Sequence, residues 1–112
     1  LVINVGSIAA TDAYPGGSGY NAAKYGLRGL TRALRREEAP DIRVCEIDPG
    51  RVKTDFSVNR FNGDQERADA VYAGKQNLTA SDIAEAIRWV ASLPAHVNVD
   101  VLNMTPAEQA ER

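Results

Sequence analysis

A serine, a tyrosine and a lysine near the start of the chain have the residue types and the spacing for proton transfer. Tyr20 comes thirteen residues after Ser7, and Lys24 lies four positions beyond Tyr20. Residues four apart on a helix share one face, so Tyr20 and Lys24 can approach each other. A free tyrosine titrates near pH ~10, and a neighbouring ammonium favours its phenolate. The trio therefore suits proton exchange with a hydroxyl or carbonyl oxygen, which the serine hydroxyl would hold.

The elements that must position this trio alternate between strands and helices. Short apolar, β-branched runs predict strands at 1–5, 42–47 and 97–104. Helical periodicity predicts a helix over about 18–38, with an apolar stripe formed by Ala23, Leu27, Leu30 and Leu34. The pattern is typical of an α/β protein.

The segment between the second and third predicted strands is polar and mostly irregular. It predicts a short helix over about 64–73. Thr79 and Asp82 then have the spacing of an approximate capping box, which predicts the start of a further helix.

Strand–helix alternation produces right-handed crossovers and a parallel sheet. Ligands of such sheets bind beyond the carboxyl ends of the strands, where Ser7 would lie. Three strands alone would leave bare sheet edges and uncovered faces, and the chain begins within a strand without an initiator Met. We therefore expect residues 1–112 to be part of a larger domain, truncated at its N-terminus.

Composition argues against several classes of function. The net charge is −2, so the chain lacks the basic field that nucleic acid or anionic lipid requires. No apolar run reaches membrane-spanning length. Cys45 is the single cysteine, which favours a reducing cytoplasm over a disulfide framework. His96 is the single histidine and has no accompanying ligand set, so we predict no metal site.

Three segments resemble one known family. INVGS at 3–7, YNAAK at 20–24 and DPGRVKTDF at 48–56 are similar to the C-terminal half of a short-chain dehydrogenase/reductase. The resemblance implies half of a Rossmann-type, doubly wound parallel sheet. It also implies that Ser7, Tyr20 and Lys24 are catalytic, with Tyr20 as general base in oxidation and general acid in reduction.

The same resemblance assigns the cofactor-contacting residues. The family's Pro-Gly-x-Val-x-Thr segment falls on Pro49, Gly50, Val52 and Thr54, which would line the nicotinamide and its diphosphate. Tyr20 and Lys24 would complete this part of the cofactor site, with Lys24 on the nicotinamide ribose.

The later sequence resembles a subgroup of the family. RFNGD at 60–64, LTASD at 78–82 and WVASLPAHVNVDVLNMTP at 89–106 are similar to NADP-dependent 3-hydroxy acid dehydrogenases that oxidise serine. This resemblance implies NADP or NAD as cofactor, a small alcohol or hydroxy acid as substrate, and a homodimer or homotetramer. Arg51 and Arg60 could bind a substrate carboxylate, although surface arginines in contact with solvent are the simpler interpretation.

The family's phosphate-binding glycine loop has no counterpart in the 112 residues, because Gly16-Gly17-Ser18-Gly19 does not connect a strand to its helix. We therefore expect the chain alone to be inactive. Two alternatives remain at this point: a non-catalytic remnant that serves as an interaction module, and an epimerase or dehydratase of the extended branch that shares Tyr-x-x-x-Lys.

Overall fold

The computed structural model describes residues 1–109, and within that range three parallel strands form one sheet in the order β1-β2-β3. The strands are Val2–Val5 (β1), Val44–Pro49 (β2) and Val101–Met104 (β3). Val5 pairs with Ile47, and Pro49 pairs with Met104. The predicted parallel α/β arrangement is confirmed, although β2 and β3 begin two and four residues later than the sequence indicated.

The first helix, α1, spans Ser18–Glu38, as the periodicity predicted. It follows a short 3-10 turn at Ile8–Ala10 and a loop that contains Pro15 and Gly16. Arg35 and Arg36 lie in its last turn, where the partial negative charge of the helix end favours cations. Tyr20 and Lys24 therefore lie in the first two turns of a long, regular helix.

The side of α1 that faces the sheet is not its leucine stripe. Leu30 is 57% exposed, whereas Thr31 is fully buried. The Thr31 hydroxyl accepts a hydrogen bond from Asn4 Nδ2 (3.0 Å) and donates one to the Leu27 carbonyl (2.7 Å). The reason is that this face of the sheet is itself polar, so α1 meets it with a hydroxyl rather than with leucine side chains.

Three helices connect β2 to β3. They are α2 (Phe56–Arg60), α3 (Gln65–Tyr72) and α4 (Ala80–Ser92). Asp64 caps α3, and the capping box of Thr79 and Asp82 starts α4 as predicted. The sequence did not predict α2. None of the helices within residues 1–109 is long and apolar enough to cross a bilayer.

The apolar core lies between β2 and α4. Cys45 and Ile47 project from one face of β2 onto Ile83 and Val90 of α4. Alternation along the strand sends the side chains of Glu46 and Asp48 to the opposite face, towards α1. Both faces of β2 are therefore covered, and its residues from Val44 to Asp48 are all buried.

Candidate active site

Ser7 lies immediately beyond the carboxyl end of β1, where the chain turns into the 3-10 helix. Its hydroxyl accepts a hydrogen bond from the Ala9 backbone N–H (3.1 Å), and its own backbone N–H donates to Asp48 Oδ1 (3.0 Å). The residue is only 8% exposed. Two hydrogen bonds thus fix the direction of Ser7 at the rim of the sheet.

Tyr20 and Lys24 face each other across one turn of α1. The Lys24 ammonium lies 5.7 Å from the centroid of the Tyr20 ring and donates a hydrogen bond to the Val5 carbonyl (3.2 Å). On another side, the Tyr20 ring packs on Phe56 of α2, with 5.4 Å between centroids. Lys24 therefore ties the start of α1 to the end of β1 and keeps a positive charge beside the phenol.

These side chains line a single cleft of about 700 Å³ at the carboxyl edge of the sheet. The cleft brings together every site residue that the sequence predicted: Ser7, Tyr20, Lys24, Pro49, Gly50, Val52 and Thr54. Part of its wall is apolar, with Ile83 and Ile87 contributed by α4. Such a cleft combines three polar side chains that are chemically able to exchange a proton with a surface that can hold a flat ring.

The two arginines considered at the sequence level have different environments. Arg51 pairs with Glu108 (2.8 Å) and donates to Asn77 Oδ1 (2.6 Å), so it connects three segments of the fold. Arg60 also lines the cleft, is exposed, and lies over the Tyr14 ring at 5.1 Å. Among the described residues, Arg60 forms no ion pair with a carboxylate, and its charge is available to a ligand.

Two buried carboxyl groups lie directly behind Ser7. Glu46 is fully buried and Asp48 is 1% exposed. Burial, a hydrogen bond with Asp48 and the charge of Asp48 raise the pKa of Glu46 to about 7. Sequence reasoning missed both residues. The available signal was the occurrence of two acids, two positions apart, in a strand predicted to be covered on both faces.

The remaining titratable candidates lie away from this chemistry. His96 is exposed in the turn before β3. Residues 1–109 contain no group of three His, Cys, Asp or Glu side chains that could hold a metal ion. Cys45 lies in the core on the other face of β2, where burial raises the pKa of its thiol.

Fold and cleft together define a Rossmann-like α/β protein with a polar trio at the carboxyl edge of its sheet. The profile of the short chain dehydrogenase family matches residues 1–65. An uncharacterized oxidoreductase of Mycobacterium tuberculosis is 51% identical over 111 residues, which are 98% of this chain and 44% of the relative. The chain belongs to the short-chain dehydrogenase family.

Other relatives have named activities. The serine 3-dehydrogenase of Rhizobium radiobacter is 40% identical over 98% of this chain and 45% of its own length. The NADP-dependent 3-hydroxy acid dehydrogenase of Escherichia coli is 41% identical over 97% of this chain and 45% of its own. The chain thus spans less than half the length of these relatives.

A solved structure shares the fold closely. The closed form of a serine dehydrogenase complexed with NADP⁺ superposes with a TM-score of 0.94 at 41% identity, over 97% of this chain and 45% of that one. The sheet and helices of this chain therefore match a little under half of that solved structure.

Proposed function

We propose that the native protein containing this sequence is an NADP-dependent dehydrogenase that acts on a small 3-hydroxy acid such as serine. The observation that carries the proposal is the convergence of Ser7, Tyr20 and Lys24 in one cleft with the 49–54 segment. The names of the serine and 3-hydroxy acid dehydrogenase relatives support the substrate class and the choice of NADP.

The donor set of the cleft fits one end of the cofactor. The Lys24 ammonium and the Thr54 hydroxyl are polar groups on a rim that also contains Pro49 and Val52. This combination suits a ribose beside a flat, partly apolar ring. Bound nicotinamide would supply hydride exchange, and these four residues would hold it.

Within this proposal, proton transfer belongs to Tyr20. During oxidation the Tyr20 oxygen takes the proton of the substrate hydroxyl, and during reduction it returns a proton to the carbonyl oxygen. The Lys24 ammonium, 5.7 Å from the Tyr20 ring centroid, would stabilise negative charge that develops on the reacting oxygens during the transfer. The Ser7 hydroxyl is buried close to the rim and would hold the reacting oxygen against Tyr20.

The structure supports a role for Arg60 in binding the acid group of the substrate. Replacing Arg60 by Gln should raise the KM for a 3-hydroxy acid by about 10- to 100-fold, because a charge-assisted hydrogen bond contributes about 1.5–3 kcal/mol. The KM for an uncharged alcohol should change little. Steady-state kinetics with both substrates would measure the difference.

Arg67 provides a matched control for Arg60. Its guanidinium lies 4.1 Å from the centroid of the Phe61 ring, yet Arg67 does not line the cleft. Arg67→Gln should leave both KM values unchanged. An equal effect of Arg60→Gln on charged and uncharged substrates would remove Arg60 from carboxylate binding.

We also propose that residues 1–112 form the catalytic half of a Rossmann-type domain. The share of the relatives that this chain spans supports this view, and so does the outer edge of β1, which has no partner strand within residues 1–109. A homodimer or homotetramer stays a prediction. Location in the cytoplasm stays a prediction.

The direct test is an assay of the purified native protein with NADP or NAD and a panel of hydroxy acids and neutral alcohols. We expect turnover with 3-hydroxy acids and a preference for NADP. A folded native protein that reduces neither cofactor with any substrate would favour the alternative of a non-catalytic interaction module.

A further inference from the structure

Glu46 and Asp48 occupy one small space beneath the turn that contains Ser7. Both side chains leave β2 on the same face, and both are shielded from solvent. A Cβ atom placed on Gly6 would clash with Asp48 Oδ1 and would lie 2.8 Å from Glu46 Oε1. The two carboxyl groups therefore meet at the backbone of Gly6, where only glycine leaves room for them.

A shared proton would stabilise this arrangement. Neither Glu46 oxygen accepts a hydrogen bond from a conventional donor among the described residues, and neither does Asp48 Oδ2. Two adjacent buried carboxylates repel each other, so a proton held by one and donated to the other stabilises the pair. Burial, together with the neighbouring Asp48, raises the pKa of Glu46 to about 7, so Glu46 can carry a proton near neutral pH.

The charges that face this pair come from α1. Arg28 Nη1 lies 3.9 Å from Asp48 Oδ2, and its charge favours the ionised form of Glu46. Arg35 acts on Glu46 in the same direction but more weakly, and it is itself paired with Asp100, 3.3 Å away, on the segment leading into β3. From β1, the facing groups are the uncharged Asn4 and Gly6. Arg28 thus places a positive charge beside Asp48.

Asp48 is also the residue that holds Ser7. Asp48 Oδ1 accepts the Ser7 backbone N–H, which is a buried hydrogen bond between residues 41 positions apart. On the basis of the proposed dehydrogenase function, we infer that Glu46 and Asp48 act as a one-proton acid pair that positions Ser7 for the reaction. They are positioning residues, because the contact with substrate belongs to Ser7.

The proton on Glu46 determines how the positioning of Ser7 by the acid pair depends on pH. A group whose pKa is raised in the folded state stabilises that state below its ordinary pKa, and this contribution is lost as pH rises through the raised value. Ionisation of Glu46 near pH 7 would set two negative charges side by side and disturb the hydrogen bond to Ser7. A glutamine at position 46 would keep a donor towards Asp48 at every pH.

The test uses the native protein, selectively labelled with nitrogen-15 serine and with carboxyl-labelled glutamate. We expect the Glu46 carboxyl resonance to titrate with a midpoint near pH 7 and the Ser7 amide resonance to follow the same midpoint. In Glu46→Gln the Ser7 amide resonance should no longer shift as the pH is varied around 7. Glu37→Gln, at an exposed position of α1, should leave the titration of Ser7 as it is.

Kinetics with NADP and a 3-hydroxy acid give the second readout. The kcat of Glu46→Gln relative to the unaltered protein should increase as pH rises through 7. Asp48→Asn should lower kcat by about 10- to 100-fold, with the KM for NADP little changed, because a small misplacement of a positioned group carries a cost of this size.

The NMR titration and the kinetics distinguish a failure of the inferred acid pair from a failure of the proposed dehydrogenase function. The acid pair would be overturned, even in an active enzyme, by a titration midpoint of Glu46 near the ordinary value of a glutamate. It would also be overturned if the Ser7 amide resonance did not shift as Glu46 titrates. Coupled titration of Glu46 and Ser7 in a protein without turnover would retain the pair and reject the dehydrogenase. If Asp48→Asn does not fold, the comparison between Glu46→Gln and the unaltered protein still tests whether the acid pair positions Ser7.

Discussion

Tyr20→Phe in the native protein should reduce turnover below detection while leaving the affinity for NADP nearly unchanged. The substitution removes only the phenolic oxygen, which is the group that would exchange a proton with the substrate. The ring would keep its contact with Phe56 and its place beside Lys24. General acid–base catalysis contributes about 10²–10⁴-fold, so we expect a loss of at least about 10³-fold in kcat.

Tyr25 on the same helix is the matched control. Its hydroxyl donates to the Thr11 carbonyl (2.6 Å), its side chain is 45% exposed, and it lines no part of the main cleft. Tyr25→Phe should therefore retain turnover. Steady-state rates and NADP titrations on Tyr20→Phe and Tyr25→Phe would check both predictions. Turnover that persists in Tyr20→Phe would exclude Tyr20 from proton transfer.

The chain of residues 1–112, purified alone, should show no turnover with NADP or NAD. Its cleft offers polar groups for the nicotinamide end, through Lys24 and Thr54. The sequence contains no strand-to-helix glycine loop for the phosphates of the adenosine end. Most of the binding energy for the cofactor would therefore be missing.

The native protein, assayed in parallel with the same substrates, is the control for this experiment. Nicotinamide absorbance would follow turnover, and calorimetry would follow cofactor binding. Hydride transfer by the 112-residue chain would contradict our view that its cofactor site is incomplete. A folded, soluble monomer of this chain would separately contradict our expectation that the sheet needs further strands.

Much of the fold and of the site could be predicted from the sequence. Local sequence patterns predicted the structure well where they have a single structural meaning. The capping box of Thr79 and Asp82, for example, marks the start of α4. The spacing of Tyr20 and Lys24 placed both on one helix face, and the strand ending at Val5 placed Ser7 at the rim. Convergence of these residues in one cleft follows from the parallel order of the strands.

The orientation of α1 could not be read from its leucines. A stripe of apolar residues indicates that a helix packs somewhere, but it does not identify the surface on which it packs. Here the sheet offers α1 a polar face with Asn4, Glu46 and Asp48, and Thr31 meets it. The position of the helix depends on long-range contacts that no local window contains.

The short helix α2 was also hidden from sequence reasoning. Five residues from Phe56 to Arg60 are too few to show helical periodicity. Its effect on the site is nevertheless direct, because it brings Phe56 against Tyr20 and Arg60 to the mouth of the cleft. The side of the site that would select the substrate was therefore the least predictable part.

The rate at which the Cys45 thiol is chemically modified can measure how often the sheet opens. The thiol lies 1% exposed in the centre of β2, and burial raises its pKa, so the reactive thiolate is scarce in the closed state. A thiol reagent should modify this single cysteine only when β2 separates from α4. The modification rate, compared with that of the unfolded chain, then reports the free energy of that opening.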